Sequence, residues 1–275
     1  MAHSALANTK LFPPAPLPTV DILPPRLHNG SSSTTFVSSA KGLDGVKVHD
    51  ANATAYDWWY FDAMGEGAAS SGAVVFYNKG PLGFLGPTDL GSSVAVQISG
   101  TFPNDTLFDT WFPVAGGAAV VSAGQASSRA YLGPGNTTWA ARSDASEYIA
   151  PPHYPCSPVH ANETMEVFEG LGYHDKNWGV RPLREKVHSW YWGHAIVGPY
   201  VVVWLTGLDF AGTEHRSGYV VRDGKIIYSG CGDIEARPVG AAHPPVAGEL
   251  ETWEPRGFTV TVDLGPSTAA CCAPR

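Results

Sequence analysis

The stretch Trp58-Trp59-Tyr60-Phe61-Asp62 decides the fold class. It is an aromatic segment of strand length, and alternation along a strand puts Trp58, Tyr60 and Asp62 on one face and Trp59 and Phe61 on the other. Further β-branched or aromatic segments, bounded by Gly, Pro, Asn and Asp, follow it along the chain. They are residues 72–77, 93–99, 106–112, 118–122, 137–142 and 164–173. This pattern predicts an all-β protein built from antiparallel strands.

The strand pattern begins again after Pro182. Asp223-Gly224 lies between two β-rich segments, which is a strong hairpin signal. The predicted strands of this second part are residues 189–197, 200–209, 218–222, 225–229 and 257–264. A competing helical spacing joins Leu183, Val187, Trp190 and Tyr191. The chain therefore divides into an extended Pro/Ser-rich N-terminal arm (1–50), a first β domain (51–182) and a second β domain (183–275).

Composition excludes several classes of protein. The 275 residues include 31 Gly and 23 Pro, which is too many for a bundle of long helices. The net charge is −8 with no basic cluster, so we expect no nucleic-acid partner. The longest apolar run, residues 195–208, is too short for a membrane span and contains Gly198-Pro199. The first residues lack the features of a secretory signal, which predicts a cytoplasmic location.

The chain has four cysteines, Cys156, Cys231, Cys271 and Cys272, and their spacing matches no metal-binding motif. We therefore expect reduced thiols, no metal and no cofactor. Secretion is the alternative. It is favoured by five Asn-x-Ser/Thr triplets, which begin at Asn29, Asn52, Asn104, Asn136 and Asn162. The last residues, 265–275, carry no β pattern, so we expect the second domain to be incomplete and this stretch not to be the natural end of the fold.

Three stretches concentrate aromatic and polar side chains and hold five of the nine tryptophans: residues 58–62, 170–179 and 189–194. These rings either line a cavity for a large apolar ligand or form a packed core. The segment Tyr173-His174-Asp175-Lys176-Asn177-Trp178 combines a base, a carboxylate, a cation and an amide. Such polar groups either act on a ligand or form hydrogen bonds with the backbone amides at a corner of the chain. A serine nucleophile is not indicated, because no Gly-x-Ser-x-Gly elbow is present.

The three motifs Trp-Trp-Tyr-Phe-Asp, Gly-Tyr-His-Asp-Lys-Asn-Trp-Gly and Trp-Tyr-Trp-Gly, in this order, resemble the family that joins carotenoid 1,2-hydratases and AttH-like proteins to fungal Diels–Alderases. The resemblance covers residues 18–264. It implies two lipocalin-like antiparallel β-barrel domains, the second truncated, with a substrate pocket at their junction.

The resemblance leaves three functions open. The His-Asp-Lys-Asn-Trp form and the Pro-rich leader favour the fungal branch, which implies a cofactor-independent Diels–Alderase. Its substrate would be a small-molecule polyene released by a polyketide synthase–peptide synthetase hybrid. A carotenoid 1,2-hydratase-like enzyme is the first alternative, and Lys176 speaks against it because hydratases carry a second His, a proton donor, at that position. A non-catalytic lipocalin-like binding protein is the second.

The resemblance also implies roles for individual residues. A cycloaddition needs a shaped pocket and a hydrogen-bond donor toward the substrate carbonyl. We expect the donors to come from Tyr173, His174, Lys176 and Asn177. We expect substrate-binding positions at Trp58, Tyr60, Asp62, Trp178, Tyr191 and Trp192, with Asp62 and Asp175 orienting their neighbours.

Overall fold

The computed structural model describes residues 19–35, 44–65, 71–123, 126–132, 138–143, 170–245 and 255–264. Regular structure in these ranges is β-strand, apart from one 3₁₀ turn at Leu183–Glu185. The predicted all-β class is therefore confirmed. In chain order the strands are β1 (Thr19–Leu23), β2 (Ser33–Thr34), β3 (Val48–His49), β4 (Tyr56–Gly65), β5 (Ser71–Lys79), β6 (Val94–Thr101), β7 (Leu107–Pro113), β8 (Ala118–Ala123), β9 (Ala126–Leu132), β10 (Thr138–Ser143), β11 (Gly170–Gly179), β12 (Ser189–Val197), β13 (Tyr200–Leu208), β14 (Glu214–Arg222), β15 (Lys225–Gly230), β16 (Ile234–Pro238) and β17 (Phe258–Val262).

The described residues form two compact units. The first draws on Met1–Pro81 and Pro87–Val180, and the second on Leu82–Gly86 and Arg181–Arg275. The first unit contains a four-stranded sheet in the order β1-β8-β9-β10 and a five-stranded sheet in the order β11-β4-β5-β6-β7. The second contains a four-stranded sheet, β12-β13-β14-β15, and the pair β16-β17. All pairings are antiparallel, and within the described residues they give open sheets.

The main core of the first unit lies between its two larger sheets. Trp59, Phe76 and Val96 of the five-stranded sheet pack with Leu23 and Val120 of the four-stranded sheet. Trp59 and Val96 have no exposed surface. Burying side chains of this size stabilises the unit by about 1.5–3 kcal/mol each, so one face of the five-stranded sheet is fixed against the core.

The second unit begins with four consecutive antiparallel strands, β12 to β15, as the sequence predicts. The Asp223-Gly224 turn joins β14 to β15, and both turn residues have positive φ, 48° and 74°. This is the backbone that a two-residue hairpin turn requires. The competing helix is absent from this segment, where Trp190 and Tyr191 lie in β12.

The structure differs from the sequence prediction at several strands. The arm predicted for residues 1–50 includes β1, which pairs with β8 and buries Leu23. Pairing with β8 explains why this strand forms. The sequence did not predict it, because its alternating pattern is short and prolines dominate the composition around it. β9 and β16 were also not predicted. Residues 164–169 of one predicted strand and residues 265–275 lie outside the described residues.

The expectation of reduced thiols is wrong for Cys231, which is disulfide-bonded. Cysteine spacing along the chain does not report which thiols the fold brings together, and this is the physical reason for the error. Cys156, Cys271 and Cys272 lie outside the described residues.

Candidate active site

Strands β4 and β11 run side by side, and their register sorts the motif residues onto two faces. Tyr173, Asp175 and Asn177 lie opposite Asp62, Tyr60 and Trp58. Successive side chains of a strand alternate between faces, so these six residues share one face of the five-stranded sheet. Tyr77 and Trp111 join them from β5 and β7. We call this set of eight residues the aromatic face.

The opposite side of the same two strands is turned toward the core. We call it the core face, and it consists of Asp57, Trp59, Phe61, His174, Lys176 and Trp178. The predicted alternation within residues 58–62 is confirmed by this register.

The aromatic face carries a row of ring contacts. The centroids of Trp58 and Tyr77 are 6.1 Å apart, and those of Tyr77 and Trp111 are 4.9 Å apart with nearly parallel planes. Tyr60 and Tyr173 form a further pair at 6.3 Å. Tyr77 is buried in this row, whereas Trp58 and Trp111 are half-buried, and the π electrons of such rings attract a positive charge.

Asp175 is the titratable group at the centre of the aromatic face. Burial raises the pKa of its carboxyl from 3.8 to about 6, and Asp62 adds to the rise. His174 and the hydrogen bonds from Tyr173 and Asn177 oppose it. The Asn177 amide donates to Asp175 Oδ1 at 2.6 Å, which fixes the orientation of the carboxyl. A carboxyl with this pKa exchanges a proton close to neutral pH, as a general acid must.

Asp62 connects Tyr60 and Tyr173 beside this carboxyl. Its Oδ1 accepts the Tyr173 backbone N–H at 2.9 Å, and its Oδ2 accepts the Tyr60 hydroxyl at 3.4 Å. Burial, helped by Asp62 and Asp175, raises the pKa of Tyr60. Tyr60 therefore keeps its hydroxyl hydrogen and acts as a donor rather than as a base.

His174 on the core face is bonded on both sides of its ring. Nδ1 donates to the Tyr60 carbonyl at 2.7 Å, and Nε2 lies 2.7 Å from Asp44 Oδ1, within hydrogen-bond distance. The ring also stacks on Phe61, with centroids 4.2 Å apart. These contacts use both nitrogens and one ring face, so they join β11 to β4 and to the segment that carries Asp44.

Lys176 is buried on the core face, where it forms an ion pair with Asp57. Its Nζ lies 3.7 Å from the Trp59 ring centroid. The other carboxylate oxygen of Asp57 accepts the backbone N–H groups of Lys47 and Val48 at 2.8 and 3.0 Å. Burial lowers the pKa of Lys176, and Asp44 opposes this effect. The pair therefore holds the segment before β4 against β11.

The structure thus brings only some of the predicted site residues together. Tyr173 and Asn177 share the aromatic face with three predicted binding residues, Trp58, Tyr60 and Asp62. His174 and Lys176 point to the other side, and Trp178 packs there against Val48, Ala51 and Ala55. All these residues are placed by the structure, and their roles toward a substrate stay predictions.

Tyr191 and Trp192, the remaining predicted binding residues, are neighbours on β12 in the second unit, so they lie on opposite faces of that strand. Tyr191 is buried, and its hydroxyl is 2.8 Å from His243 Nδ1. Burial raises the pKa of this hydroxyl, which therefore donates its hydrogen to the imidazole. Trp192 is half-buried.

Sequence reasoning missed a polar cluster around Tyr191. His243 Nε2 lies 3.5 Å from Glu214 Oε1, and Glu214 accepts hydrogen bonds from Arg216 and Arg237. These residues come from well-separated segments, so no local spacing signals them. On the aromatic face, Tyr77 and Trp111 were also missed, although alternation along the predicted strands offered a signal for both.

The described residues contain no group of three or more His, Cys, Asp or Glu side chains placed to hold a metal ion. No helix within the described ranges is long and apolar enough to cross a membrane.

Two curated proteins are similar to the chain over most of its length, whereas no family model matches it. The quinolone epoxide rearrangement protein asqO of Emericella nidulans is 32% identical in an alignment 294 positions long, gaps included, which covers 88% of this chain and 79% of that protein. The quinolone epoxide rearrangement protein penF of Penicillium thymicola is 29% identical over 300 alignment positions, covering 90% and 82%.

Two solved structures share the fold. The crystal structure of CghA superposes with a TM-score of 0.57 at 16% identity, over 82% of this chain and 76% of that one. CghA with Sch210972 gives the same TM-score and coverage at 15% identity. At this level of identity the likeness concerns the fold alone. The kinship with fungal secondary-metabolite proteins is confirmed, and the links to carotenoid hydratases and AttH-like proteins stay predictions. Because asqO is 32% identical over most of both chains, this chain belongs to the family of quinolone epoxide rearrangement proteins of fungal secondary metabolism.

Proposed function

We propose that this protein catalyses the acid-promoted rearrangement of an epoxide carried by an aromatic, quinolone-like secondary metabolite, with Asp175 as the general acid. The observation that carries the proposal is the Asp175 carboxyl, whose pKa burial raises to about 6 on a face built of aromatic rings. The names of the two relatives supply the substrate class. An epoxide needs a proton on its oxygen to open, and the rings offer a surface for the positive charge that follows.

The proposed reaction is an isomerisation. The neutral Asp175 carboxyl gives its proton to the epoxide oxygen as one C–O bond breaks, which leaves a hydroxyl and a neighbouring carbocation. A group then migrates to the cationic carbon, or an internal nucleophile attacks it. The proton lost in that step returns to the Asp175 carboxylate. Atoms and electrons balance, and the enzyme regains its starting state without a redox partner.

Neighbours of Asp175 have distinct supporting roles in this proposal. The Asn177 amide at 2.6 Å holds the carboxyl in one orientation. Trp58 and Trp111, which are half-buried and linked through the buried Tyr77, are the rings placed to stabilise the developing cation. His174 and Lys176 act indirectly, because their contacts on the core face fix the position of β11.

A [4+2] cycloaddition of a polyene is the second candidate. It is favoured by the motif resemblance and by the hydrogen-bond donors that Tyr173 and Asn177 add to an aromatic surface. A cycloaddition transfers no proton, so it requires shape and a donor but no acid with a shifted pKa. The two candidates therefore differ in what they ask of Asp175.

The Asp175→Asn variant separates the two reactions. It keeps the size of the side chain and its hydrogen-bonding capacity but has no acidic proton. With a quinolone epoxide as substrate, we expect kcat to fall about 10²- to 10⁴-fold, the range for loss of a general acid. Product is measured by chromatography with mass detection, and Asp109→Asn, at another carboxyl of the same sheet, serves as the matched control. Full turnover of the epoxide by the D175N variant would refute the assignment, and cyclisation of a linear polyene by both proteins would favour the cycloaddition.

A further inference from the structure

A cavity of about 550 Å³ lies in the first unit, between the segment after β1 and the loop that follows β5. Its volume is within the range of small-molecule pockets. Prolines and leucines supply much of its wall, and its charged side chains are Lys79, Arg26 and Asp89. Arg26 and Asp89 are exposed, whereas Lys79 is only 4% exposed. Lys79 is therefore the charged group of the inner wall.

The Lys79 ammonium is incompletely satisfied by the described part of the chain. Its Nζ donates one hydrogen bond, to the Pro87 carbonyl at 3.3 Å, and an ammonium has three hydrogens to donate. The other buried lysines described in this unit each have a carboxylate nearby: Lys176 has Asp57, and Lys47 has Asp44. Burial lowers the pKa of Lys79, and no carboxylate opposes that effect. A buried cation without a counter-charge is costly, so an oxygen from a ligand would stabilise it.

Lys79 also belongs to the aromatic face by position. Alternation along β5 puts it on the same side as Tyr77, and its Nζ lies 5.6 Å from the Trp111 ring centroid. Trp111 in turn stacks on Tyr77. A row of contacting rings therefore runs from Lys79 toward the strands that carry Asp175.

We propose that this cavity binds the oxygen-bearing aromatic head of a small molecule, whose carbonyl or enolate oxygen accepts hydrogen bonds from Lys79. This inference rests on the proposed function for its substrate class and deepens it by naming the end of the substrate that is recognised. It adds to the acid at Asp175 a separate binding contact for the ring system.

The register sets the spacing between the two contacts. Lys79 is four residues from Val75 on β5, and Val75 is two strands away from Asp175. These steps correspond to about 13 Å along the strand and about 10 Å across the sheet. These are separations of the backbone positions, so a single ligand that contacts both side chains has an elongated shape.

The test is the binding of 4-hydroxy-2-quinolone, an enolisable ring system without an epoxide, to the full chain by isothermal titration calorimetry. We expect the Lys79→Met variant to bind this probe at least tenfold more weakly than the unmodified protein. Lys79→Arg keeps the positive charge and should bind within about threefold. Lys225→Met, at an exposed lysine of β15, is the matched control and should bind within twofold. Absence of binding to the unmodified protein, or K79M binding within twofold of it, overturns the inference.

A second measurement covers the case in which K79M does not fold. Lys79 of the unmodified protein is labelled by reductive methylation, and the extent of labelling is measured by peptide mass spectrometry with and without the probe. Protection of Lys79 but not of Lys225 supports the inference, and equal labelling of Lys79 in both samples overturns it. Epoxide turnover by the D175N variant tests the proposed function alone, so the two failures are distinguishable.

Discussion

The two faces of β4 and β11 use similar residues for opposite purposes. On the core face, His174 and Lys176 each contact a carboxylate, Asp44 and Asp57 respectively. On the aromatic face, Asp175 has amide and hydroxyl neighbours, and no cationic side chain within the described ranges is bonded to it. Paired charges stabilise a position, whereas an acid whose pKa is raised is available for proton transfer. In the proposed function, one motif therefore supplies both the support of the site and its chemistry.

The largest expected effect is a loss of stability caused by a substitution on the core face. Lys176→Met leaves Asp57 as a buried carboxylate without its counter-charge, so we expect a loss of about 3–5 kcal/mol in the free energy of unfolding. Urea denaturation followed by tryptophan fluorescence measures it. Lys186→Met, at an exposed lysine, is the control and should change stability by less than about 0.5 kcal/mol. A loss below about 1 kcal/mol for K176M, together with lost turnover, would assign Lys176 to catalysis instead.

The second effect concerns pH and the aromatic face. The folded pKa of Asp175 is raised from 3.8 to about 6, so the folded state binds a proton that the unfolded state has released in this interval. Stability contributed by the neutral carboxyl is therefore complete below about pH 4 and is lost as pH rises through 6, by up to about 3 kcal/mol. The unfolding free energy of the unmodified protein minus that of D175N should therefore decrease by up to about 3 kcal/mol as the pH is raised from 4 to 7.5. A pH-independent difference would show that the pKa is not raised.

The third effect compares adjacent tryptophans on the two faces. Trp58→Leu removes a ring from the aromatic face, and the lost attraction for the developing cation should lower epoxide turnover about tenfold. Trp59→Leu opens a cavity in the core and should instead cost about 2–4 kcal/mol of stability. Steady-state kinetics and urea denaturation of both variants provide the comparison. If both variants lost stability equally and W58L kept its turnover, Trp58 would be a core residue.

The smallest effect extends the comparison to the second unit. Tyr191→Phe removes the hydroxyl that donates to His243 and should cost about 1 kcal/mol, the usual worth of one hydrogen bond. Thermal unfolding measures it, with Tyr200→Phe as the control. The sequence predicts a substrate-binding role for Tyr191, and that role requires a change in turnover or product distribution. Unchanged kinetics with lowered stability would assign Tyr191 to structure.

The sequence by itself determined the all-β class, most strand positions and the segment that carries the site. Alternation in residues 58–62 and the Asp223-Gly224 turn are local signals, because side-chain direction and turn geometry depend on neighbouring residues. The polar motif of residues 173–178 was recognised for the same reason. Local signals could not say which motif residues had partners, because those partners lie far away in the chain.

Only the tertiary structure decided what each polar residue does. Asp44 and Asp57 contact His174 and Lys176, although more than a hundred residues of chain separate the partners. His174 and Lys176 were predicted to donate hydrogen bonds to a substrate, and these contacts hold them on the core face instead. The raised pKa of Asp175 arises from burial, which no sequence pattern reports. Lys79 acquires its place beside a cavity through a loop and a distant segment that only meet in the fold. Strand periodicity is local, whereas desolvation and charge pairing depend on the assembled sheet.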